Sequence, residues 1–148
     1  MMGSRIFLAL ALTVLTGAAP AQTTAPPPSD LTSAEGAAFM HQVLKDQMLS
    51  FKQDGDNDLI YFTAILGWRC GLRELYYGLN DDPIVMQFPL EPCYREMRQP
   101  NSMPGAGTTY PIHITVPTGS AQKLRLRMIY DDGNTASFEV ERVKNLMF

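Results

Sequence analysis

Hydrophobic positions follow a helical spacing in the segment from residue 33 to residue 51. Apolar residues recur there at intervals of three and four, at Met40, Val43, Leu44, Met48 and Phe51. Thr32 and Glu35 have the spacing of a capping box, and Leu31 precedes them in the position of a hydrophobic staple. The pattern predicts a helix over 33–51 with its methionines in the core and His41 on the surface.

Beyond residue 59 the apolar positions alternate or run together, as in strands. The run 59–66 is apolar almost throughout and predicts a buried strand, with a short helix as the alternative. Residues 69–79 change parity near Arg73 and Glu74, which indicates a β-bulge. Residues 84–90 alternate cleanly and predict a further strand.

The C-terminal third carries the clearest strand pattern. Ile112, Ile114 and Val116 alternate with polar residues, and residues 123–130 and 138–140 do the same. The turn between the last two runs fixes their register, because a dry face cannot pair with a wet one. A three-residue loop at 131–133, with its glycine in the left-handed region, sets Leu126 opposite Phe138, Arg125 opposite Glu139 and Lys123 opposite Glu141.

These elements predict a mainly β protein: a small antiparallel β-sandwich over residues 59–142 with one N-terminal helix and one disulfide. In its strand and turn pattern the chain resembles an immunoglobulin-like or fibronectin-like module. It departs from the immunoglobulin signature because Trp68 precedes Cys70 instead of following it.

The N-terminus reads as an export signal. Arg5 precedes the apolar run 6–15, and residues 19–21 form an A-x-A site, so we expect a signal peptide over 1–21 that is cleaved after Ala21. Residues 22–30 contain three consecutive prolines and predict an extended linker, which leaves 31–148 as the single domain. We expect a periplasmic or secreted protein without stable membrane insertion after cleavage.

Export changes the expectation for Cys70 and Cys93, the two cysteines of the chain. In an oxidising compartment they are expected to form a disulfide. The formal net charge of −3 over 148 residues argues against a nucleic-acid partner.

An acidic segment, Asp54–Asp58, begins like a calcium-binding loop. The motif then fails, because Leu59 and Ile65 stand where the loop needs glycine and glutamate. We interpret the segment as a solvated turn that ends the helix, and we expect neither a metal site nor a cofactor.

The long irregular segment 91–110 is the strongest candidate for a binding site, with a plain crossover between two sheets as the alternative. It begins at the disulfide and carries residue types that protein interfaces favour. The predicted partner-binding residues are Tyr94, Arg95, Met97, Arg98, Met103 and Tyr110.

A second hypothesis is a carbohydrate-binding platform formed by Trp68, Tyr76 and Tyr77. Lys123, Arg125 and Arg127 form a basic stripe, but opposed carboxylates favour a solvated sheet face over a polyanion site. His41 and His113 accompany no recognisable catalytic motif, and a copper site from them with Met97 and Met103 is the weakest alternative.

The sequence therefore predicts a non-enzymatic exported protein that binds another envelope or secreted protein through the segment 91–110. Such a protein would act as a structural accessory, an assembly factor or an inhibitor of an envelope enzyme. A carbohydrate-binding module is the alternative.

Overall fold

The structure, a computed structural model, describes residues 26–147. The predicted signal peptide 1–21 and the first part of the predicted linker lie outside these residues. The helices are α1 (Ala34–Val43), α2 (Thr63–Leu66) and a 3₁₀ helix (Arg142–Lys144). The strands are β1 (Ser50–Asp54), β2 (Asn57–Tyr61), β3 (Leu72–Leu79), β4 (Met86–Phe88), β5 (His113–Pro117), β6 (Lys123–Tyr130), β7 (Thr135–Glu141) and β8 (Leu146–Met147).

Helix α1 begins one residue later than the capping-box spacing indicates. Ser33 is the N-cap, and its Oγ accepts a hydrogen bond of 3.0 Å from the backbone N–H of Gly36. Thr32 instead donates to the side chain of Asp30, through both its N–H and its hydroxyl. The cap is therefore satisfied by the neighbouring serine.

The predicted helix over 33–51 is too long, because α1 ends at Val43 and the chain enters β1 at Ser50. Phe51 is fully buried, as the helical spacing predicts, but it is buried from a strand that pairs with both β2 and β8. The 54–57 segment is accordingly a hairpin turn between strands and does not end a helix. Gly55, at φ +59°, supplies the positive φ that a two-residue hairpin loop needs.

The apolar run 59–66 divides into two elements instead of forming one strand. It contributes the end of β2 and then the short helix α2, which buries Ile65 and Leu66. The predicted bulge in β3 is confirmed, since the register shifts between Leu72 and Glu74. In the predicted strand 84–90 only residues 86–88 pair, and Phe88 alone among them is buried.

The eight strands form two four-stranded sheets, ordered β5-β2-β1-β8 and β4-β3-β6-β7. All neighbours are antiparallel except β1 and β8. The protein is thus mainly β with two sheets and few helices in the described residues, and Cys70 and Cys93 form the predicted disulfide.

The register predicted for the last hairpin is confirmed. Leu126 pairs with Phe138, Arg125 with Glu139 and Lys123 with Glu141. Gly133 lies at φ +86° in the three-residue loop, and its N–H donates to the carbonyl of Tyr130.

Side chains from both sheets share one apolar core. The first sheet contributes Phe51 and Ile60, and the second contributes Leu75, Leu126 and Met128, all fully buried. Burial of this apolar surface is the main favourable contribution to folding. Between residues 26 and 147, no helix is long and apolar enough to cross a membrane.

A buried ion pair ties the first sheet to the C-terminal connection. Asp58 of β2 is fully buried and accepts two hydrogen bonds from Arg142, at 2.7 and 3.0 Å, and one from the N–H of Gly119. The Arg142 hydrogen bond holds the pKa of the Asp58 carboxyl below its ordinary value of 3.8. The ion pair fixes the 3₁₀ helix after β7 against β2, and the hydrogen bond from Gly119 fixes the β5–β6 connection at the same carboxylate.

Candidate functional site

Residues 91–110, named here the crossover loop, lead from β4 in one sheet to β5 in the other. As predicted, they form no regular strand, and the bridge between Ala106 and Tyr110 is the exception. Turn hydrogen bonds fold the loop on itself, for example from the N–H of Tyr94 to the carbonyl of Pro100 at 3.0 Å. The loop is therefore structured although it contains no regular secondary structure.

Arg69 is the centre around which the crossover loop is built. Its side chain is 2% exposed, and its Nε, Nη1 and Nη2 donate to five backbone carbonyls at 2.6–3.2 Å. These carbonyls belong to Leu66, Glu91, Pro92, Asn101 and Ser102. Because a guanidinium has five donor N–H groups in a planar fork, Arg69 matches this set of acceptors completely.

Burial lowers the pKa of Arg69, and the nearby Glu91 carboxylate and Tyr94 oppose that shift. The arginine remains charged at neutral pH, because a guanidinium group keeps its proton far above pH 7. The ring of Tyr94 lies 5.8 Å from the guanidinium carbon and faces the cation. The charge of Arg69 is thus compensated by carbonyl dipoles, an aromatic face and a neighbouring carboxylate.

The carboxylate of Glu91 accepts hydrogen bonds from two further parts of the loop. Its carboxylate is nearly buried, and Oε1 accepts hydrogen bonds from the N–H of Gly105 at 2.8 Å and the hydroxyl of Tyr94 at 3.1 Å. The Gly105 position is tight, since a β-carbon there would lie 2.8 Å from the Tyr110 ring. Glu91 therefore joins the beginning and the end of the loop.

The disulfide and Asn101 complete the base of the loop. Cys93 is covalently bonded to Cys70, which directly follows Arg69 in sequence. The side-chain oxygen of Asn101 accepts a hydrogen bond of 2.8 Å from the N–H of Cys70. The disulfide, the Asn101 side chain and the hydrogen bonds of the Arg69 guanidinium therefore fasten the loop to one short segment of chain.

Above this base, residues 95–99 form an exposed tip, and every one of them is exposed. Met97 is 44% exposed although it is apolar. Arg95 is held more firmly than the others: it donates to the carbonyl of Thr32 at 3.2 Å and lies 3.7 Å from the carboxylate of Asp131. The tip thus presents Met97 and Arg98 from a well-anchored base.

The six predicted partner-binding residues divide between tip and base. Arg95, Met97 and Arg98 belong to the tip. Tyr94 and Tyr110 are partly buried beside Glu91 and Gly105, and Met103 packs against the apolar core. The last three residues therefore support the loop, while the first three are available to a partner.

The aromatic residues predicted for carbohydrate binding are not brought together on one surface. Tyr76 lies on the outer face of β3, where its ring is 4.9 Å from the Arg127 guanidinium and its hydroxyl donates to Glu74. Tyr77 points the other way and packs on Phe62, with ring centroids 5.8 Å apart. Trp68 is partly buried in the turn after α2.

Of the basic stripe on β6, Lys123 alone pairs with carboxylates among the described residues. It lies 3.1 Å from the carboxylate of Asp81 and 3.3 Å from that of Glu139. Arg125 donates to the backbone carbonyl of Asp82, and Arg127 stacks on Tyr76. One of the three positive charges is thus neutralised by carboxylates, and the other two guanidinium groups are held by a carbonyl and an aromatic ring.

The expectation that His41 is a surface residue is wrong. His41 is fully buried between α1 and β6, where Nδ1 lies 3.1 Å from the Tyr130 hydroxyl and Nε2 lies 3.3 Å from the Ile65 carbonyl. The carbonyl can only accept, so Nε2–H donates to it and Nδ1 accepts from Tyr130. Burial lowers the pKa of His41 to about 4 and raises that of Tyr130 to about 12.

Sequence reasoning missed Arg69, Glu91 and Asn101 as the framework of the loop. One observation pointed to Arg69: it is a charged residue inside the apolar stretch 64–72, directly beside a disulfide cysteine. A charge in such a position must find partners if the stretch is buried. The acceptors are backbone carbonyls, which no side-chain pattern reveals.

No set of three or more His, Cys, Asp or Glu side chains arranged to hold a metal occurs between residues 26 and 147. Comparison with protein-family models, with curated proteins and with solved structures finds no match for this chain.

Proposed function

We propose that the chain is an exported, non-enzymatic protein-interaction module of the periplasm or the secreted space, and that it binds another envelope or secreted protein through the tip of the crossover loop. The observation that carries this proposal is the contrast between the tip and its base. Loops that bind partners are typically exposed segments positioned by a rigid scaffold.

Pre-organisation is the physical benefit of this construction. A partner that binds a mobile loop must offset about 0.5–1.5 kcal/mol for each side chain it orders, besides the entropy of the backbone. The contacts of Arg69, Glu91 and the disulfide hold the backbone of the base in the free protein. Methionine and arginine are also among the residues enriched at protein interfaces.

We also propose that the two sheets form an immunoglobulin-like or fibronectin-like sandwich. With β1, β2, β3, β4, β5, β6 and β7 named A, B, C, C′, E, F and G, the sheet orders become E-B-A and C′-C-F-G. The neighbours A-B-E and C-F-G are those of immunoglobulin sheets, and C′ joins the second sheet in variable-type domains. The disulfide differs, because it joins the segment before C to the segment after C′.

The disulfide supports export, since disulfides persist mainly in oxidising compartments. The role of the module is then that of a structural accessory, an assembly factor or an inhibitor of an envelope enzyme. A carbohydrate ligand is the alternative.

The experiment is an affinity capture with tagged domain 31–148 on the envelope and secreted fractions of its own cells. We expect one protein to be retained in stoichiometric amount, and the variants Met97→Asp and Arg98→Glu to lose at least about tenfold in affinity for it. Lys52→Glu is the matched control, because Lys52 is an exposed basic residue on β1, away from the loop.

Retention of that protein at equal affinity by all the variants would contradict the proposed site. Retention of cell-wall polysaccharide with no protein would favour the carbohydrate alternative.

A further inference from the structure

An apolar groove separates β4 from β5, the strands at the open edges of the two sheets. Its volume is about 360 Å³, and the side chains along it are mostly apolar. Its walls include Tyr77, Leu79, Val85, Met86, Ile114 and Val116. Val85 is 67% exposed and Met86 is 55% exposed, so the apolar surface at the mouth of the groove is in contact with solvent.

The backbone of β5 offers hydrogen-bonding groups along this groove. Phe62 N–H donates to Ile112 C=O, and Thr118 N–H donates to Asp56 C=O. Because backbone direction alternates along an antiparallel ladder, Ile114 and Val116 also bond toward β2. The N–H and C=O of His113 and Thr115 therefore point away from the sheet, at an edge where no further strand of the described chain pairs.

In the proposed immunoglobulin-like arrangement, this edge is where a further strand would lie. Immunoglobulin constant-type domains have a strand D beside E, and β5 occupies the place of E. In this chain, residues 89–112 instead form the connection that contains the crossover loop. The groove thus lies where one further strand could pair with β5. The unpaired backbone groups of β5 border it on one side, and apolar side chains line it.

The charges at one end of the groove indicate the polarity of an incoming chain. Asp82 lines the groove, and the turn containing Asp54 and Asp56 adjoins the end of β5, since Asp56 accepts from Thr118. All three acidic side chains are exposed, and none forms a salt bridge with a described residue. A strand added antiparallel to β5 would bring its amino-terminal end to this acidic end.

We propose that the groove binds an extended peptide segment of another protein, which adds to β5 as an antiparallel strand. Valine or isoleucine at alternate positions of the peptide enters the groove, and a lysine or arginine at its amino-terminal end faces Asp82 and Asp56. Strand addition of this kind draws affinity from main-chain hydrogen bonds and specificity from the alternate side chains. This site is separate from the loop tip, and either can be tested without the other.

The charges favour such a peptide over a second copy of this chain. The segment 111–117 contains no lysine or arginine, so an opposed copy of β5 brings no cation to the acidic end. The last residue of β5, Pro117, also lacks an N–H for a symmetric pair of edges. Two copies would in addition bring together chains of net charge −3.

The test uses a fluorescent synthetic peptide of alternating valine and threonine with two lysines at its amino end. Titration of the chain without its predicted signal peptide, residues 22–148, by fluorescence anisotropy should give saturable binding. Amide resonances of 113–116 and of the non-proline residues in 77–86 should shift in a nitrogen-labelled sample. A peptide of the same composition with its lysines at the carboxyl end should bind at least about fivefold more weakly.

Two substitutions at Thr115, on the edge strand β5, test the main-chain hydrogen bonds to the peptide. Thr115→Pro removes an N–H that points away from the sheet, and proline is tolerated at exposed edges, so the fold should be retained. We expect this variant to lose at least about tenfold in peptide affinity, while Thr115→Ala retains it. Asp82→Asn should lower the affinity for the peptide with two lysines and leave the affinity for an uncharged valine-threonine peptide unchanged.

Several outcomes would overturn the proposal. One is equal binding to Thr115→Pro and Thr115→Ala, and another is no saturable binding of the lysine peptide. A third is a dimer of the free protein that Thr115→Pro abolishes in analytical ultracentrifugation, which would assign the edge to a second copy.

Discussion

At the scale of single residues, the four buried polar or charged side chains of the described chain, His41, Asp58, Arg69 and Glu91, have hydrogen-bond partners that match their chemistry. Arg69 is surrounded by carbonyl oxygens, and Asp58 by N–H donors. A buried charge without such partners would destabilise the fold by several kcal/mol. His41 differs from these two residues because it is buried in its neutral form, and both of its ring nitrogens form hydrogen bonds.

The neutral state of His41 predicts a pH-dependent stability. The folded protein keeps this residue unprotonated down to about pH 4, whereas the unfolded chain takes up a proton near its ordinary pKa of 6.5. The unfolded state therefore binds more protons between these values, and the free energy of unfolding should fall by about 3 kcal/mol as the pH falls from 6.5 to 4.

Urea denaturation at pH 7, 5.5 and 4.5 measures this effect. In His41→Gln the amide still offers a donor for the Ile65 carbonyl but does not titrate, so the difference in stability between the variant and the wild type should narrow at low pH. Parallel pH profiles for the two proteins would contradict the assignment. Asp58 affects stability in a different pH range from His41, because its contribution to the free energy of unfolding is lost only as the pH falls below about 3.8.

At the scale of elements, turns and strand pairing decide between two registers, or between helix and strand, where the apolar pattern fits both. The β6–β7 hairpin was predictable because a turn glycine and a clean alternation on both sides allow a single register. Residues 48–51 also fit two patterns, helical and extended. The hairpin at Gly55 and pairing with β2 and β8 select the extended one.

The positive φ of Gly133 in the β6–β7 hairpin loop predicts that a single added methyl group lowers stability. Gly133→Ala should lower the free energy of unfolding by about 1 kcal/mol, because φ +86° is unfavourable for a residue with a β-carbon. No neighbouring atom lies within 4 Å of the added carbon, so the effect isolates backbone strain. Thermal unfolding measures it.

The matched control is Gly67→Ala. Gly67 has right-handed helical angles, and its nearest contact for a β-carbon is an ordinary 3.4 Å. We expect a change within about 0.5 kcal/mol for this control. Equal destabilisation by both substitutions would show that strain at Gly133 is not the cause.

At the scale of the whole molecule, the longest of the described connections between the two sheets is the one from β4 to β5, residues 89–112. The crossover loop carries the chain from β4 to β5 without a strand or helix of its own. The disulfide closes a sequence separation of 23 residues, which stabilises by about 3 kcal/mol through restriction of the unfolded chain. Arg69 acts differently, because it holds the folded loop by direct hydrogen bonds.

We predict that Arg69→Lys destabilises the protein by about 3 kcal/mol, because a lysine keeps the charge but has only three donors for five carbonyls. Chemical denaturation measures the loss, and hydrogen exchange should accelerate over residues 91–105 before global unfolding.

Arg73→Lys is the control for this change. Its side chain is largely exposed and, among the described residues, forms a salt bridge only with Glu74, so we expect a change within about 0.5 kcal/mol. Unchanged exchange rates over 91–105 in Arg69→Lys would contradict the role assigned to Arg69.

The amino-acid sequence by itself determined the mainly β class, the disulfide, the β-bulge and the register of the last hairpin. These features depend on side-chain alternation, on turn residues and on cysteine count, which are local or nearly local in the chain. The sequence also indicated the irregular segment 91–110, but it grouped six residues of that segment as partner-binding, and only the structure separates the exposed tip residues from those that support the loop.

The tertiary structure alone decided three matters: the end of α1 at Val43, the burial of His41, and the framework of Arg69, Glu91 and Asn101. Each depends on groups far apart in sequence, such as His41 and Tyr130, or on backbone carbonyls that every residue possesses. A side-chain pattern cannot specify which carbonyls meet a guanidinium, because that depends on how the two sheets and their connection pack.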